Sequence, residues 1–242
     1  MAAKVRRAFY EKMRPHGFRT KVAFWDGKPV GYIHTVPIEY SHWGPIGKDL
    51  MVILCQYVAK EAKCKGIGRA FLQTVGKEAK KEGKKCIVVC AYYYEDFWFI
   101  PALFYEKYGF KPIVRKKVTN IGEKEFLDEI AILWKVFDES AEPPHFPIPN
   151  YSFKPIKGKV VVDLFSDPFC KPIEAQRVRD VIEDFYGKVI LNEFFTDDRE
   201  TFEKYQISRA IFVNGQEIGW GYNAPRDGIR KAIQTALKLQ QE

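Results

Sequence analysis

The feature that most constrains the fold of this chain is a cluster of prolines within Ala141–Gly158. The cluster consists of Pro143, Pro144, Pro147, Pro149 and Pro155. Because proline lacks a backbone N–H and has a fixed φ, it is excluded from helix interiors and from central strands. The segment is therefore predicted to be an extended linker. We expect a first domain at residues 1–140, the linker at 141–158 and a second domain at 159–242.

Composition and charge exclude several classes of protein. Hydrophobic residues make up 46% of the chain and aromatic residues 15%, which is typical of a folded globular protein. The net charge is +8, and residues 1–157 contain 27 Lys and Arg against 17 Asp and Glu. A basic first half attracts phosphorylated ligands of any kind. No zinc-finger spacing and no aromatic RNA-binding motif accompanies it, which argues against a nucleic-acid partner.

The sequence has no signal for secretion or for membrane insertion. No apolar run suited to a secretory signal follows Met1, and no span of 18 apolar residues occurs. Five cysteines without a C-x-x-C pair are typical of a reducing compartment. The four histidines lack the spacing of metal ligands, so no metal site is predicted. We therefore expect a cytoplasmic protein that has no contact with membranes.

Hydrophobic periodicity predicts a mixed α/β first domain. The expected elements are a helix over Val5–Met13, a hairpin over residues 20–37, strands at Leu50–Val58 and Cys86–Ala91, and late strands near 112–118 and 129–137. Between the two central strands, Gly66–Glu82 has apolar residues at helical spacing and is predicted to form an amphipathic helix. Together these elements predict a central mixed sheet flanked by helices.

The junction between the strand ending at Val58 and this helix is predicted to bind phosphate. It reads Lys63-Cys64-Lys65-Gly66-Ile67-Gly68-Arg69-Ala70. Glycines permit a tight turn, and the start of the helix directs several N–H groups toward one point. Such a turn binds a pyrophosphate without any side chain. A P-loop would need Lys-Ser/Thr where this chain has Arg69-Ala70, and a dinucleotide fingerprint would need glycine at Phe71.

A second motif, Phe104-Tyr105-Glu106-Lys107-Tyr108-Gly109-Phe110, follows the strand Cys86–Ala91. Together with Lys63-x-x-Gly66-x-Gly68 it resembles the GNAT superfamily of acetyl-CoA-dependent N-acetyltransferases. The cofactor loop of that family reads Arg/Gln-x-x-Gly-x-Gly/Ala, and a later helix ends F-Y-x-K-x-G-F. The resemblance covers residues 4–137. The chain departs from the family at Lys63, at Trp98 where Asn is usual, at Pro101 where Ala is usual, and in lacking an N-terminal strand.

The resemblance implies that acetyl-CoA is the cosubstrate and that a small-molecule or peptide amine is the acceptor. The pantetheine arm is expected to enter a cleft where the strand ending at Val58 separates from its neighbour, with backbone partners near Tyr57 and Val58. The residues implied to bind the phosphates are Lys63, Cys64, Lys65, Gly66, Ile67, Gly68, Arg69 and Ala70.

Tyr105 is the candidate for protonating the departing thiolate. A phenol with a pKa of about 10 keeps its proton at neutral pH, and transfer to a thiolate whose thiol pKa is about 8.5 is nearly thermoneutral. The base that takes the proton of the amine is left open. Candidates are Glu39, His42, Glu61 and Glu95, while Gln56 is placed to orient a water molecule.

After the linker, the predicted order of elements is βαβαββα, which is that of a thioredoxin-like domain. The loop from Phe165 to Ile173 resembles the one that carries the C-x-x-C motif in that superfamily, with Cys170 at the first cysteine and Ile173 in place of the second. The usual cis-proline is also missing, at Ser208-Arg209. A dithiol cycle needs two sulfurs, so the resemblance implies a degenerate module. The overall arrangement is similar to YoaP-type acetyltransferases.

The leading hypothesis is thus an N-acetyltransferase that transfers acetyl from acetyl-CoA directly to an amine in a ternary complex. One alternative is a non-catalytic coenzyme A-binding module whose thioredoxin-like tail binds a partner protein or docks within the chain. Another is a monothiol oxidoreductase that relies on Cys170.

Overall fold

A computed structural model of the chain describes residues 2–93, 100–119, 127–169, 173–218 and 226–240. The chain divides into two compact units. The first comprises Tyr10–Val118 and Leu127–Pro147, and the second includes the residues up to Phe9 and those from Ile148 onward. The change of unit between Pro147 and Ile148 falls inside the proline-rich segment.

The first unit is built around one mixed sheet. Its elements are α1 (Ala2–Met13, shared with the second unit), β1 (Arg19–Trp25), β2 (Lys28–Pro37), β3 (Leu50–Val58), α2 (Ile67–Lys81), β4 (Cys86–Tyr93), α3 (Ala102–Lys107), β5 (Lys111–Thr119) and β6 (Leu127–Val136). The strand order is β1-β2-β3-β4-β6-β5. Strands β3 and β4 are parallel, whereas β1–β2, β2–β3 and β4–β6 are antiparallel. The predicted mixed sheet with flanking helices is confirmed.

Helix α2 lies against this sheet through the apolar stripe that its sequence predicts. Phe71, Leu72, Val75 and Ala79 are buried in one cluster that also contains Ile53 and Val89 of the central strands. Fully burying a Phe, Leu or Val side chain stabilises a fold by about 1.5–3 kcal/mol. This packing fixes the beginning of α2 next to the carboxyl end of β3.

The second unit contains a smaller sheet. Its elements are β7 (Val160–Ser166), α4 (Glu174–Glu183), β8 (Val189–Phe195), α5 (Arg199–Tyr205), β9 (Ala210–Val213), β10 (Gln216–Ile218) and α6 (Arg226–Leu239). The strand order is β10-β9-β7-β8, with β7 parallel to β8 and antiparallel to β9. Between β9 and β10, Asn214 and Gly215 have φ of 46° and 80°, as the sequence Asn-Gly predicts for a tight hairpin.

The sequence predicts a helix over Lys171–Tyr186 that Gly187 closes, and α4 ends earlier than this. Within the described residues it begins at Glu174 and ends at Glu183. Beyond that point the N–H groups of Asp184 and Phe185 bond to carbonyls three residues back, and Gly187 then adopts a φ of 76°. The tighter turn ends the helix before the glycine that was expected to close it.

Three further findings concern membrane spans, cysteines and metal sites in the described part of the chain. No helix there is long and apolar enough to cross a membrane. The thiols of Cys55, Cys64, Cys86 and Cys90 are free, while Cys170 lies outside the described residues. No group of three or more His, Cys, Asp or Glu in these ranges is arranged to hold a metal ion.

Candidate active site

A cleft opens where β3 and β4 separate. The two strands pair from Leu50–Cys86 to Ile53–Val89, and no further pairing between them is present in the described residues. Strand β3 nevertheless continues to Val58 and keeps its pairing with β2 up to Gly31–Val58. The last part of β3 therefore presents one backbone edge toward the cleft. Such an edge accepts an extended chain or ligand as an added strand.

The loop that follows β3 delivers the beginning of α2 to the same cleft. Cys64 and Gly66 have φ of 61° and 80°, so the backbone passes twice through the left-handed region before the helix begins. No side chain caps this end of α2 in the described structure, and the first helical bond runs from Ala70 N to Gly66 O at 2.9 Å. The N–H groups that precede Ala70 are consequently directed outward at the positive end of the helix dipole.

Gly68 has a different role from Gly66. A Cβ on Gly66 would meet nothing within 4 Å, so this position needs glycine for its positive φ alone. A Cβ on Gly68 would lie 2.8 Å from the ring of Phe104 and 3.2 Å from Nε2 of Gln56. Gly68 thus allows α2 to approach α3 closely.

A cavity of about 810 Å³ occupies the cleft. It is lined by Gln56, Tyr57, Val58, Lys60, Ala62, Lys63, Cys64, Gly66, Ile67, Gly68, Arg69, Ile100, Pro101, Phe104, Tyr105, Lys107 and Tyr108. Four of these described lining residues are cationic and none is acidic, which suits a polyanionic ligand. The volume lies within the range of about 300–1,000 Å³ that is usual for small-molecule sites.

Most of the predicted cofactor-binding residues line this cavity together with Tyr105. The two exceptions are Lys65 and Ala70. Lys65 places its Nζ 4.5 Å from the ring centroid of Trp25, outside the cavity lining, and the N–H of Ala70 is used within α2. The lining residues that the sequence did not indicate come mainly from α3 and its approach, such as Pro101, Phe104 and Tyr108. The F-Y-x-K-x-G-F motif could have indicated them, because residues three and four apart share a helix face.

Tyr105 is buried at the inner end of the cavity. Its side chain is 1% exposed, and its OH donates a hydrogen bond to Oε1 of Gln56 at 3.4 Å. The ring packs edge-on against Phe104 and Phe110, with centroids 5.2 and 5.4 Å apart. Burial, with a smaller effect of Cys55, raises the pKa of Tyr105 well above its usual value. The phenol therefore keeps its proton at neutral pH, and complete transfer to a thiolate is more costly than the free-phenol value predicts.

Aromatic side chains continue from the cavity onto the other face of β2 and β3. Tyr57, which lines the cavity, has its ring centroid 5.7 Å from that of Tyr32, and Tyr32 lies 4.7 Å from His34. His34 is buried, and its Nδ1 is 2.9 Å from Oγ1 of Thr20. Side chains alternate along β2, so Tyr32 and His34 lie on one face of the strand. This spacing in the sequence could have indicated that the two residues are neighbours.

The four residues suggested as the general base do not lie together at the cleft. Glu39 accepts a hydrogen bond from the N–H of Asp49 at 2.5 Å and pairs with Lys84 at 3.2 Å, so it lies near the start of β3, away from the cleft. His42 is buried outside the cavity lining, and Glu61 is exposed. Glu95 lies outside the described residues. Among the polar residues that the sequence suggests for proton transfer or for orienting water, Gln56 is the one that lies beside Tyr105 in the described structure.

Comparison with known families agrees with this geometry. Residues 16–112 match the family model of the acetyltransferase (GNAT) domain. This match contains β1 to β4, the loop before α2, and α3. The first unit therefore carries a GNAT-like fold, in agreement with the resemblance of its motifs. Comparison with curated proteins gave no match.

Several solved structures are similar to the chain at low identity. The ribosomal-protein-alanine N-acetyltransferase of Brucella melitensis is 22% identical, with 55% of this chain and 78% of that chain covered and a TM-score of 0.42. An N-acetyltransferase from Staphylococcus aureus is 21% identical over 54% and 74% of the two chains, with a TM-score of 0.42. The PaiA N-acetyltransferase of Thermoplasma acidophilum, solved with coenzyme A, is 20% identical over 54% and 68%, with a TM-score of 0.38.

Proposed function

We propose that the first unit is an N-acetyltransferase that uses acetyl-CoA and passes the acetyl group directly to an amine. The observation that carries this proposal is the meeting of three features in one cavity: the open edge of β3, the amide-rich start of α2 and the hydroxyl of Tyr105. Each feature suits a different part of a thioester of coenzyme A. The match of residues 16–112 to the GNAT acetyltransferase model supports the same class of reaction.

In this proposal the diphosphate is held by the N–H groups of Ile67, Gly68 and Arg69 at the start of α2. Main-chain N–H groups at a helix start bind phosphate oxygens well because the helix dipole adds to their partial charges. Lys60, Lys63 and Arg69 line the same cavity and supply compensating positive charge. The edge of β3 near Tyr57 and Val58 then pairs with the amides of the pantetheine arm.

The chain contributes to the chemistry mainly by positioning and by polarisation. A backbone N–H of β3 is aimed at the thioester carbonyl, where negative charge develops as the amine attacks. Tyr105 holds its proton. In the structure its O–H donates to Oε1 of Gln56, and in the proposed reaction the O–H turns from Gln56 to donate to the leaving sulfur. The amine has a lysine-like pKa of about 10 in solution, so it first loses one proton to water to become a nucleophile. After attack the nitrogen loses a second proton to water, and coenzyme A leaves as the thiolate.

Direct transfer is favoured over an acyl-enzyme because neither described cysteine near the site is suited to attack the thioester. Cys64 lines the cavity, but within the turn proposed to hold the diphosphate, and Cys55 is buried. Burial raises the pKa of Cys55 to about 11, an effect only partly offset by its hydrogen bond to Tyr32. A thiol with this pKa is protonated at neutral pH and is a poor nucleophile.

Calorimetric titration with coenzyme A tests the cavity, and a panel of amines tests the reaction. We expect coenzyme A to bind at micromolar concentration and at least one amine to release it from acetyl-CoA. The panel contains polyamines, amino acids, aminoglycosides and peptides with free N-termini. Absence of binding heat contradicts the whole proposal. Binding without turnover on any amine favours the alternative of a non-catalytic coenzyme A-binding module.

For the second unit we propose a thioredoxin-like module without a dithiol cycle. The strand order β10-β9-β7-β8, with one parallel and two antiparallel neighbours, supports this assignment. It also agrees with a YoaP-type arrangement and with a role in docking a partner or the rest of the chain. A cytoplasmic location suits the free thiols, which a reducing compartment preserves. If the parent protein catalyses thiol-disulfide exchange and Cys170→Ala abolishes it, the result favours the oxidoreductase alternative.

A further inference from the structure

The second unit contains a cavity of its own, with a volume of about 330 Å³. It is lined by Asn150, Tyr151, Ser152, Lys154, Asp163, Asn192, Phe194, Lys204 and Tyr205. This volume is at the small end of the range of about 300–1,000 Å³ found for ligand sites. None of these residues was singled out by the sequence, and none belongs to the proposed acetyltransferase site.

A buried carboxylate forms the inner surface of the cavity. Asp163 lies in the middle of β7 and is 5% exposed. One of its oxygens accepts a hydrogen bond from the hydroxyl of Tyr151 at 2.6 Å, and the other accepts one from Nδ2 of Asn192 at 2.7 Å. Burial and the nearby carboxylate raise the pKa of Tyr151, so its hydroxyl stays a donor. Each carboxylate oxygen retains a second lone pair with which to accept a hydrogen bond from a ligand.

Two aromatic rings form part of the cavity wall, and hydrogen bonds from Asn150 hold the segment that carries one of them. The rings of Phe194 and Tyr205 have centroids 5.0 Å apart. Asn150 donates its backbone N–H to the carbonyl of Tyr205 at 2.8 Å and its Nδ2 to the carbonyl of Lys204 at 3.1 Å. The cavity is therefore shaped before any ligand arrives. Aromatic faces beside a carboxylate favour an organic ammonium group.

The exposed part of the lining carries the opposite charge. Lys154 and Lys204 are both exposed, and Nζ of Lys204 lies 4.9 Å from the ring centroid of Tyr205. A ligand that is only cationic would be repelled by these ammonium groups on entry, and one that is only anionic would meet Asp163 inside. A small molecule with an ammonium group at one end and a carboxylate at the other complements both the buried carboxylate and the exposed lysines.

We propose that this cavity binds a free α-amino acid. Its ammonium group donates hydrogen bonds to Asp163, and its carboxylate lies toward Lys154 and Lys204. The side chain of the amino acid packs against Phe194 and Tyr205. The site lies within the second unit and does not depend on the acetyltransferase assignment.

Isothermal titration calorimetry of the full chain with each of the twenty common amino acids tests this proposal. We expect at least one to bind, and we expect the matching amine and the matching carboxylic acid, each lacking the other charge, to bind at least about tenfold more weakly. Asp163→Asn, which keeps the shape of the side chain, should weaken binding by at least about tenfold. Lys157→Ala removes an exposed lysine outside the lining and should leave the affinity unchanged.

Two outcomes would overturn the proposal. The first is the absence of binding heat with all twenty amino acids. The second is an unchanged affinity in the double variant Lys154→Ala/Lys204→Ala, whose exposed positions make it a usable test even if Asp163→Asn fails to fold. Tyr105→Phe serves as a control for independence, because amino-acid binding should persist in that variant whether or not acetyl transfer does.

Discussion

At the level of single residues, burial decides what Tyr105 can contribute. Its raised pKa means that the phenol does not ionise in the resting site, so it acts as a fixed hydrogen-bond donor. A donor held in place is most effective where negative charge appears during the reaction. In the proposed reaction that place is the sulfur of the departing coenzyme A.

Replacing Tyr105 with Phe tests this role. We expect kcat for acetyl transfer to fall about 100-fold, because one positioned donor is lost, while the affinity for coenzyme A changes little. Steady-state kinetics with the best amine and calorimetry with coenzyme A measure the two quantities. Tyr108→Phe is a suitable control, since Tyr108 lines the same cavity and belongs to the same motif. Equal kcat in the Tyr105 variant and in the parent protein would contradict the assignment.

Gly68 is the residue at which a single added methyl group should matter most. Its Cβ would come within 2.8 Å of Phe104, so Gly68→Ala forces α2 and α3 apart at the cavity. Overpacking of this kind costs about 1–3 kcal/mol of unfolding free energy. We also expect the dissociation constant for coenzyme A to rise about tenfold. Urea unfolding and calorimetry measure these effects, and Gly76→Ala, where the nearest atom would be 3.7 Å away, provides the comparison.

At the level of elements, the site depends on the interrupted pairing between β3 and β4. The two strands share a buried core as far as Ile53 and Val89 and then diverge while each keeps its other neighbour. Because the strands diverge, backbone groups of β3 face a cavity that is large enough for a ligand. This cavity lies at the end of β3 from which the chain leads into α2. The cleft and the turn proposed to bind phosphate thus both lie at the end of one strand.

Strand β4 also makes the stability of the protein sensitive to alkaline pH. Burial raises the pKa of both Cys86 and Cys90 from 9.0 to about 12. The native state therefore keeps these protons when the unfolded chain has lost them, and stability falls as pH rises above 9. At pH 10 we expect a loss of about 1.4 kcal/mol per thiol relative to pH 8. Urea unfolding at both pH values measures the loss, and Cys86→Ala/Cys90→Ala should remove the part that these two thiols contribute, while the buried Cys55 keeps its own contribution.

At the level of the whole molecule, charge is divided unevenly along the sequence. Residues 1–157 have ten more basic than acidic side chains, whereas residues 158–242 contain 12 Lys and Arg against 14 Asp and Glu. The basic part contains the cavity lined by Lys60, Lys63, Arg69 and Lys107. This distribution attracts a polyanion such as coenzyme A to the first unit and leaves the second unit nearly neutral.

The affinity for coenzyme A should therefore depend on salt. Between 50 and 200 mM NaCl we expect the dissociation constant to rise at least about threefold, because the exposed cations at the cavity are screened. Pantetheine, which has no phosphate, should show almost no such dependence. Calorimetry at the two salt concentrations compares the ligands. A salt response of the same size for both would mean that the basic lining does not contact the phosphates.

Much of this architecture could be predicted from local sequence. Periodicity correctly indicated the strands and α2. The domain boundary at the prolines and the site roles of the loop and Tyr105 stay predictions. Each of these signals comes from residues close in sequence, whose conformational preferences act over a few bonds. The earlier end of α4 was not predicted, because the tight turn after Glu183 leaves no distinct mark in the sequence.

The sequence by itself therefore determined the order of the elements and the turn at Gly66, since both follow from backbone preferences and side-chain spacing. Only the tertiary structure decided which side chains share a cavity. It joined Gln56 to Tyr105 across 49 positions, placed Gly68 against Phe104 and surrounded Asp163 with Tyr151 and Asn192. Contacts of this kind arise from strand pairing and core packing between distant segments, and burial then sets the pKa of each group they enclose.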